Sequence, residues 1–282
     1  MMGEVRCICD SACELGEGIF WDRQRRRLFW FDILRRRLLS CGADGGGFAE
    51  AALARRGSAA AVGGDGDFVV AADNGWGRYN PEQNHFYDWR PIEGEPPAHR
   101  TNDGRADPHG AFWFGTMRLD GADSAAGSIY RVSPDGELKK TITGVSIPNA
   151  IAFSPDGGLM YWTDSPKRII WRCELSPAGE PGAREVFVSL AGKPQVPDGA
   201  VVDAEGFLWC AEWDGWRVVR YDPDGGVARV VRLPVARPTC PALGGEGLDT
   251  VFVSSARNGI SAAQLKGQPL AGGVFAFAVS PG

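Results

Sequence analysis

The hydrophobic and polar positions repeat along the chain in one short unit. A run of small or apolar residues leads into a Gly/Asp turn, an apolar-aromatic run follows, and then a segment that alternates apolar with polar residues. The apolar-aromatic runs are DRQRRRLFWFD (22–32), GDGDFVVAAD (64–73), DPHGAFWFGTM (107–117), PDGGLMYWTD (155–164), DAEGFLWCAEW (203–213) and GEGLDTVFVSSA (245–256). Their turns fall near residues 23, 65, 109, 157, 205 and 246, a period of about 40 residues. The alternating segments, such as GSIYRVSPDG, RIIWRCELSP and WRVVRYDPDG, carry the period-two pattern of half-buried antiparallel strands. A third short strand precedes each turn, as in GIFWD (18–22), NAIAFSPDG (149–157) and GAVVDAEG (199–206). No amphipathic helical segment of useful length interrupts the series. Six units of about four strands, at this period, predict an all-β fold: a six-bladed β-propeller with four-stranded antiparallel blades, a single domain over residues 1–282. The last unit is too short for an outer strand, so GEVRCIC (3–9) is expected to close it and hide the open edge.

In a propeller the innermost strands line a central channel, and a shared register brings equivalent positions of all blades to one mouth. Stepping back from each turn to the start of its inner strand finds Glu17, Ser58, Asn102 with Asp103, Asn149, Asp198 and Thr239. Any one of these alone reads as a loop-capping residue. Together they place carboxylates and carboxamides around one opening, an oxygen-rich setting for a cation. The same register separates four Pro-Asp-Gly triplets, at 134–136, 155–157, 197–199 and 223–225. Asp135, Asp156 and Asp224 fall in turns. Asp198 falls at the mouth, and Asp203 takes the turn that follows it.

Net charge is −5 and pI about 5.3, which argues against a nucleic-acid binder. The arginine clusters at 25–27, 35–37 and 55–56 are expected to be a solvated basic face. Seven cysteines without a C-x-x-C pair suggest reduced thiols rather than a zinc site. No stretch approaches membrane-spanning length and the N-terminus lacks an apolar leader core, so a cytoplasmic protein is expected. The three histidines have no Ser or Cys partner signature, which leaves triad chemistry without support. Asp164 reads as a backbone-bonding residue. Glu212 is a weak candidate for the mouth, and Trp21 or Trp213 could floor a pocket. The short Gly/Ala-rich segment 118–127 is not expected to reach a ligand through Asp120 or Asp123.

The stretches LGEGIFWD (15–22), RTNDGRADPHGAFWFGTM (100–117), IPNAIAFSPDG (147–157) and VPDGAVVDAEGFLW (196–209) resemble the SMP-30/gluconolactonase/regucalcin-like family, in the family's order and across essentially the whole chain. The C-terminal part is similar to bacterial sugar lactonases within it. The resemblance implies a six-bladed propeller holding one divalent cation, with Glu17, Asn149 and Asp198 as its ligands. It further implies Arg100 and Asn102 as substrate-binding residues with Asp103 beside them. Three oxygen ligands suit Ca, Mg or Mn on hardness grounds, and Zn or Fe is compatible. The expected activity is hydrolysis of a sugar lactone to its aldonic acid, with Asp198 as general base and a small-molecule sugar lactone as the only expected partner. An ion pair of Arg100 with Asp103 or Glu17 would compete with its substrate role. Two other functions compete: a promiscuous esterase or phosphotriesterase at the same site, and a non-catalytic calcium-binding propeller. Neither the sugar, the metal, the pathway nor the oligomeric state is readable from the residues.

Overall fold

A computed structural model describes residues 4–121 and 124–280. They form six four-stranded antiparallel sheets. Five are built from consecutive strands, and their inner strands are Gly16–Asp22, Gly57–Val62, His99–Ala106, Pro148–Phe153 and Val196–Val202. The sixth begins at Pro238–Gly244 and takes its outermost strand from the other end of the chain. There Arg6–Cys9 pairs with Val274–Ala278, Arg6 opposite Ala276. The expected closure is therefore present, and the propeller has six blades. Among the described residues helix is confined to one turn at Ala262–Leu265 and a 3-10 turn at Ser165–Lys167. Among the described residues no helix is long and apolar enough to cross a membrane.

The apolar-aromatic runs are the second strands, and they are buried because neighbouring blades pack on both faces. Trp30, Trp113 and Trp209 are fully buried. The turns before them are fastened by aspartates. Asp107 accepts from the amides of His109 and Ala111 and from the Trp113 indole. Asp203 repeats this with Glu205, Phe207 and Trp209, and also accepts from Arg220. An aspartate six positions before a tryptophan thus ties turn, strand and core together.

Each inner strand departs from regular pairing at the same place. In blade one the register slips between Glu17 and Phe20, and in blades four and five between Asn149 and Ala152 and between Pro197 and Ala200. Blades two, three and six slip at Gly57–Ala59, Thr101–Gly104 and Pro238–Pro241. In every case the inner strand carries one more residue than its partner, which is a β-bulge. A bulge re-aims the side chains at the start of the strand while leaving the rest of the ladder intact.

The arginine clusters lie at the solvated surface, as expected, and most of their charge is paired with carboxylates. Arg25 pairs with Asp22 and Glu82, Arg26 with Glu246, Arg35 with Glu14, Arg37 with Asp32 and Glu50, and Arg56 with Asp73. Arg55 lies over the Trp89 ring. All seven cysteines are free thiols; Cys7 and Cys9 are half-buried and the other five buried.

Candidate active site

The bulges bring four blades' polar side chains to one cavity of about 340 Å³. Glu17, Arg100, Asn102, Asn149 and Asp198 all line it. Each retains less than a tenth of its surface. In blade one, Gly18 follows Glu17 with φ +56°, and a Cβ there would lie 2.1 Å from the Ser58 carbonyl oxygen. Only glycine fits this close, left-handed step, and that step turns Glu17 into the cavity. Ala150 holds the matching position after Asn149 with φ 52°, an uncommon conformation for a residue with a Cβ. In blade five, a Cβ on Gly199 would lie 2.8 Å from the Cys240 Cα of the next blade, so close blade packing fixes Asp198.

A chain of hydrogen bonds ties these residues together. Arg100 Nη1 donates to the Thr101 carbonyl (2.8 Å) and to Asn102 Oδ1 (2.7 Å). Asn102 Nδ2 donates to the Pro148 carbonyl (3.0 Å) and to Asn149 Oδ1 (2.8 Å). Asn149 Nδ2 donates to Ser165 Oγ (2.9 Å), which donates to the Pro197 carbonyl (2.7 Å).

The electrostatics are unbalanced. Burial first, then the nearby Asp103 charge, pushes the Glu17 carboxyl up to about 8, against the pull of Arg100. Burial and the charges of Glu17 and Asp103 hold Asp198 well above the ordinary carboxylate range. Burial lowers Arg100 to about 10 although Glu17 raises it. Two buried carboxylates therefore face one arginine that makes no ion pair with either, nor with Asp103. Among the described residues no three His, Cys, Asp or Glu side chains cluster as a metal site. The donor set is two carboxylates and one amide oxygen, all hard ligands with a combined charge of −2. A divalent oxygen-seeking cation fits that set on both counts.

Other residues from the sequence fall elsewhere. Asp103 does not line the cavity. It sits one residue past Asn102 in the bulge, and its Oδ2 accepts from the Ile151 amide of blade four (2.8 Å) while Oδ1 has no hydrogen-bond partner. It braces two inner strands, and its charge bears on Glu17 and Asp198 although it does not line the cavity. Ser58 and Thr239 share the register but spend their hydroxyls between blades: Ser58 donates to Thr101 Oγ1, and Thr239 bonds the Gly16 carbonyl and Ser254. Glu212 is fully buried against Arg217 and Tyr221. Asp164 accepts from the Ile147 amide and pairs with Lys167, a backbone-holding role. Trp213 lines the cavity; Trp21 lines a separate depression with Arg23 and Arg26.

Leu119, Asp120 and Gly121 also line the cavity, so the segment after blade three's second strand does reach it. Asp120 is held by Arg118. Asp123 lies outside the described residues. Ser165 and Asn258 complete the polar lining, and no spacing in the sequence pointed to either.

The structure is a six-bladed propeller whose blades gather two buried carboxylates, two carboxamides and an arginine around one cavity. Residues 15–257 match the SMP-30/Gluconolactonase/LRE-like region, and the chain belongs to that family. It is 39% identical over 277 residues to the L-arabinolactonase of Azospirillum brasilense, covering 97% of this chain and 91% of that protein. It is 35% identical over 279 residues to the 6-deoxy-6-sulfogluconolactonase of Pseudomonas putida, covering 98% and 95%. The crystal structure of a calcium-binding protein, regucalcin, from Agrobacterium tumefaciens superposes with a TM-score of 0.93 at 34% identity, over 98% of this chain and 93% of that one.

Proposed function

We propose that the protein is a divalent-cation-dependent lactonase that hydrolyses a sugar lactone to the aldonic acid. The observation that carries this reading is the joint lining of one cavity by Glu17, Asn149 and Asp198 with Arg100 and Asn102. A cation store needs the first three alone; the arginine supplies free donors for a polyhydroxylated ligand, and the second amide, its two N–H groups already given to Pro148 and Asn149, holds that arginine in place. Similarity to lactonases over nearly the whole chain favours sugar lactones over other esters or phosphotriesters.

Glu17, Asn149 and Asp198 would hold the cation, whose contribution is Lewis-acid polarisation of the lactone carbonyl. Arg100 has five N–H donors, and its Nη1 is occupied by Thr101 and Asn102. The Nε and Nη2 donors remain for lactone oxygens. Asn102 orients Arg100 and borders the same space. Asp198 is the general base: it takes a proton from the attacking water as the new C–O bond forms. The acyl–oxygen bond of the ring then breaks, and the departing ring oxygen takes that proton to become the hydroxyl of the aldonic acid.

The test is hydrolysis of L-arabinono-, D-xylono- and D-glucono-lactone by EDTA-stripped protein, with Ca²⁺, Mg²⁺, Mn²⁺, Zn²⁺ or Fe²⁺ restored singly. Turnover restored by at least one cation is expected. Opening at the spontaneous rate under every cation would overturn the proposal, and cation binding without turnover would favour a calcium-binding propeller instead.

A further inference from the structure

The hydrogen-bond chain through the cavity runs in one direction, and its ends fix that direction. The guanidinium of Arg100 can only donate, and the Pro197 carbonyl can only accept. Between them each group has a single consistent arrangement. Asn102 must turn its oxygen to Arg100, which leaves its nitrogen for the Pro148 carbonyl and Asn149 Oδ1. Asn149 must then turn its oxygen towards Asn102 and its nitrogen towards Ser165. Ser165 has one hydroxyl proton, already given to Pro197, so it meets Asn149 as an acceptor.

Reversing the Asn149 amide would set its nitrogen against the Asn102 nitrogen. It would also set its oxygen against a serine oxygen whose proton is committed elsewhere. Both contacts are repulsive, and all the groups are buried. Carboxamides can usually flip with little change in shape; here both amides are locked.

We propose that Ser165 is a positioning residue for the cation site: it holds the Asn149 nitrogen and thereby keeps the Asn149 oxygen available as a ligand. This rests on the reading of Glu17, Asn149 and Asp198 as the cation ligands. The same serine ties Asn149 of blade four to the carbonyl that precedes Asp198 in blade five, so it sets the spacing of two proposed ligands as well as the orientation of one. At the far end of the chain, Arg100 and Asn102 share in that control, which links the substrate clamp to the cation site.

The experiment is calorimetric titration of EDTA-stripped protein with Ca²⁺, and separately Mn²⁺, in the absence of lactone. Ser165→Ala is expected to weaken cation binding about tenfold, at the low end of what a supporting hydrogen bond contributes. Ser165→Thr, which keeps the hydroxyl, is expected to restore it. Ser165→Ala strands the buried Pro197 carbonyl and the Asn149 nitrogen, so the cation-free variant is expected to unfold at a lower temperature as well; a merely structural serine would lower that temperature and leave the cation affinity of the folded protein unchanged. If Ser165→Ala does not fold, Ser165→Cys provides the test through a weaker acceptor, with a smaller loss expected. Glu17→Gln is the reference and should abolish binding. Unchanged affinity in folded Ser165→Ala, with Glu17→Gln inactive in binding, overturns the role of Ser165 alone. Normal binding by Glu17→Gln removes the cation-site reading, and the proposal with it.

Discussion

Asp198 and Asp203 lie five residues apart on one strand and turn, yet neutralising them should have opposite consequences. Asp203 accepts from the Glu205 and Phe207 amides through Oδ1, and from the Trp209 indole (2.9 Å) and Arg220 (2.8 Å) through Oδ2. In Asp203→Asn the amide oxygen can serve the two backbone donors, but its nitrogen then faces two further donors. Trp209 is fully buried and finds no other partner, while Arg220 keeps Glu205. Leaving a buried donor unsatisfied costs about 1–3 kcal/mol, and losing a charge-assisted bond adds to it, so the variant should lose roughly 3–5 kcal/mol of stability. Its lactone turnover, measured below the unfolding transition, should stay near wild type. Asp198→Asn removes a carboxylate that burial already disfavours, so the cation-free variant should be as stable as wild type or more so. Its turnover should fall by roughly 100- to 10,000-fold, as loss of a general base entails. Urea unfolding of cation-free protein and steady-state lactone hydrolysis measure the two quantities. Turnover within tenfold of wild type in Asp198→Asn would refute the assignment, as would loss of turnover at unchanged stability in Asp203→Asn.

Three further outcomes follow from the site and its supports. In EDTA the folded Glu17 carboxyl, raised to about 8 from 4.5, binds a proton the unfolded chain has released; this stability is complete below the unfolded value and is lost as pH rises through 8. The contribution of Glu17 should therefore fall by about 3 kcal/mol between pH 5 and 7.5; urea unfolding of wild type against Glu17→Gln isolates it, and saturating Ca²⁺ should flatten it. Gly18→Ala drives a Cβ into the Ser58 carbonyl at a left-handed φ and should cost roughly 3 kcal/mol or more by the same assay. The buried Glu95 carboxylate accepts from Thr116 and Tyr130 and faces His99 Nδ1. Glu95→Gln should be tolerated, because the His99 ring can present Nδ1 as an acceptor to the new amide, whereas Glu95→Ala should cost about 3 kcal/mol by stranding the two hydroxyls.

The sequence carried the propeller, its closure and the convergence of Glu17, Asn149 and Asp198, because all three depend on period and register. What it could not carry depends on side-chain direction at the bulges. Asn102 and Asp103 are neighbours with the same apparent claim on the cavity, and the bulge sends one to the cavity and the other to the Ile151 amide. Ser58 and Thr239 occupy equivalent positions but find partners in neighbouring blades, which no linear spacing encodes. Ser165 follows Asp164 in an unremarkable YWTDS stretch; its importance comes from facing a carbonyl thirty-two residues later in the chain. Composition made segment 118–127 look too small to matter, yet its near end forms part of the cavity wall.

Closing the ring with Arg6–Cys9 also imposes an order on synthesis. That strand is made long before Val274–Ala278, the edge it must cover. Five blades can assemble from consecutive residues while the chain is still growing, but the sixth cannot. Until then an early strand lacks its partner, and the incomplete ring presents two unpaired flanks. The contact that covers the edge of Val274–Ala278 in the finished protein is the strand pairing most distant in sequence, which makes it slow to form. Chains interrupted before the last strand would carry a ready template for pairing with one another.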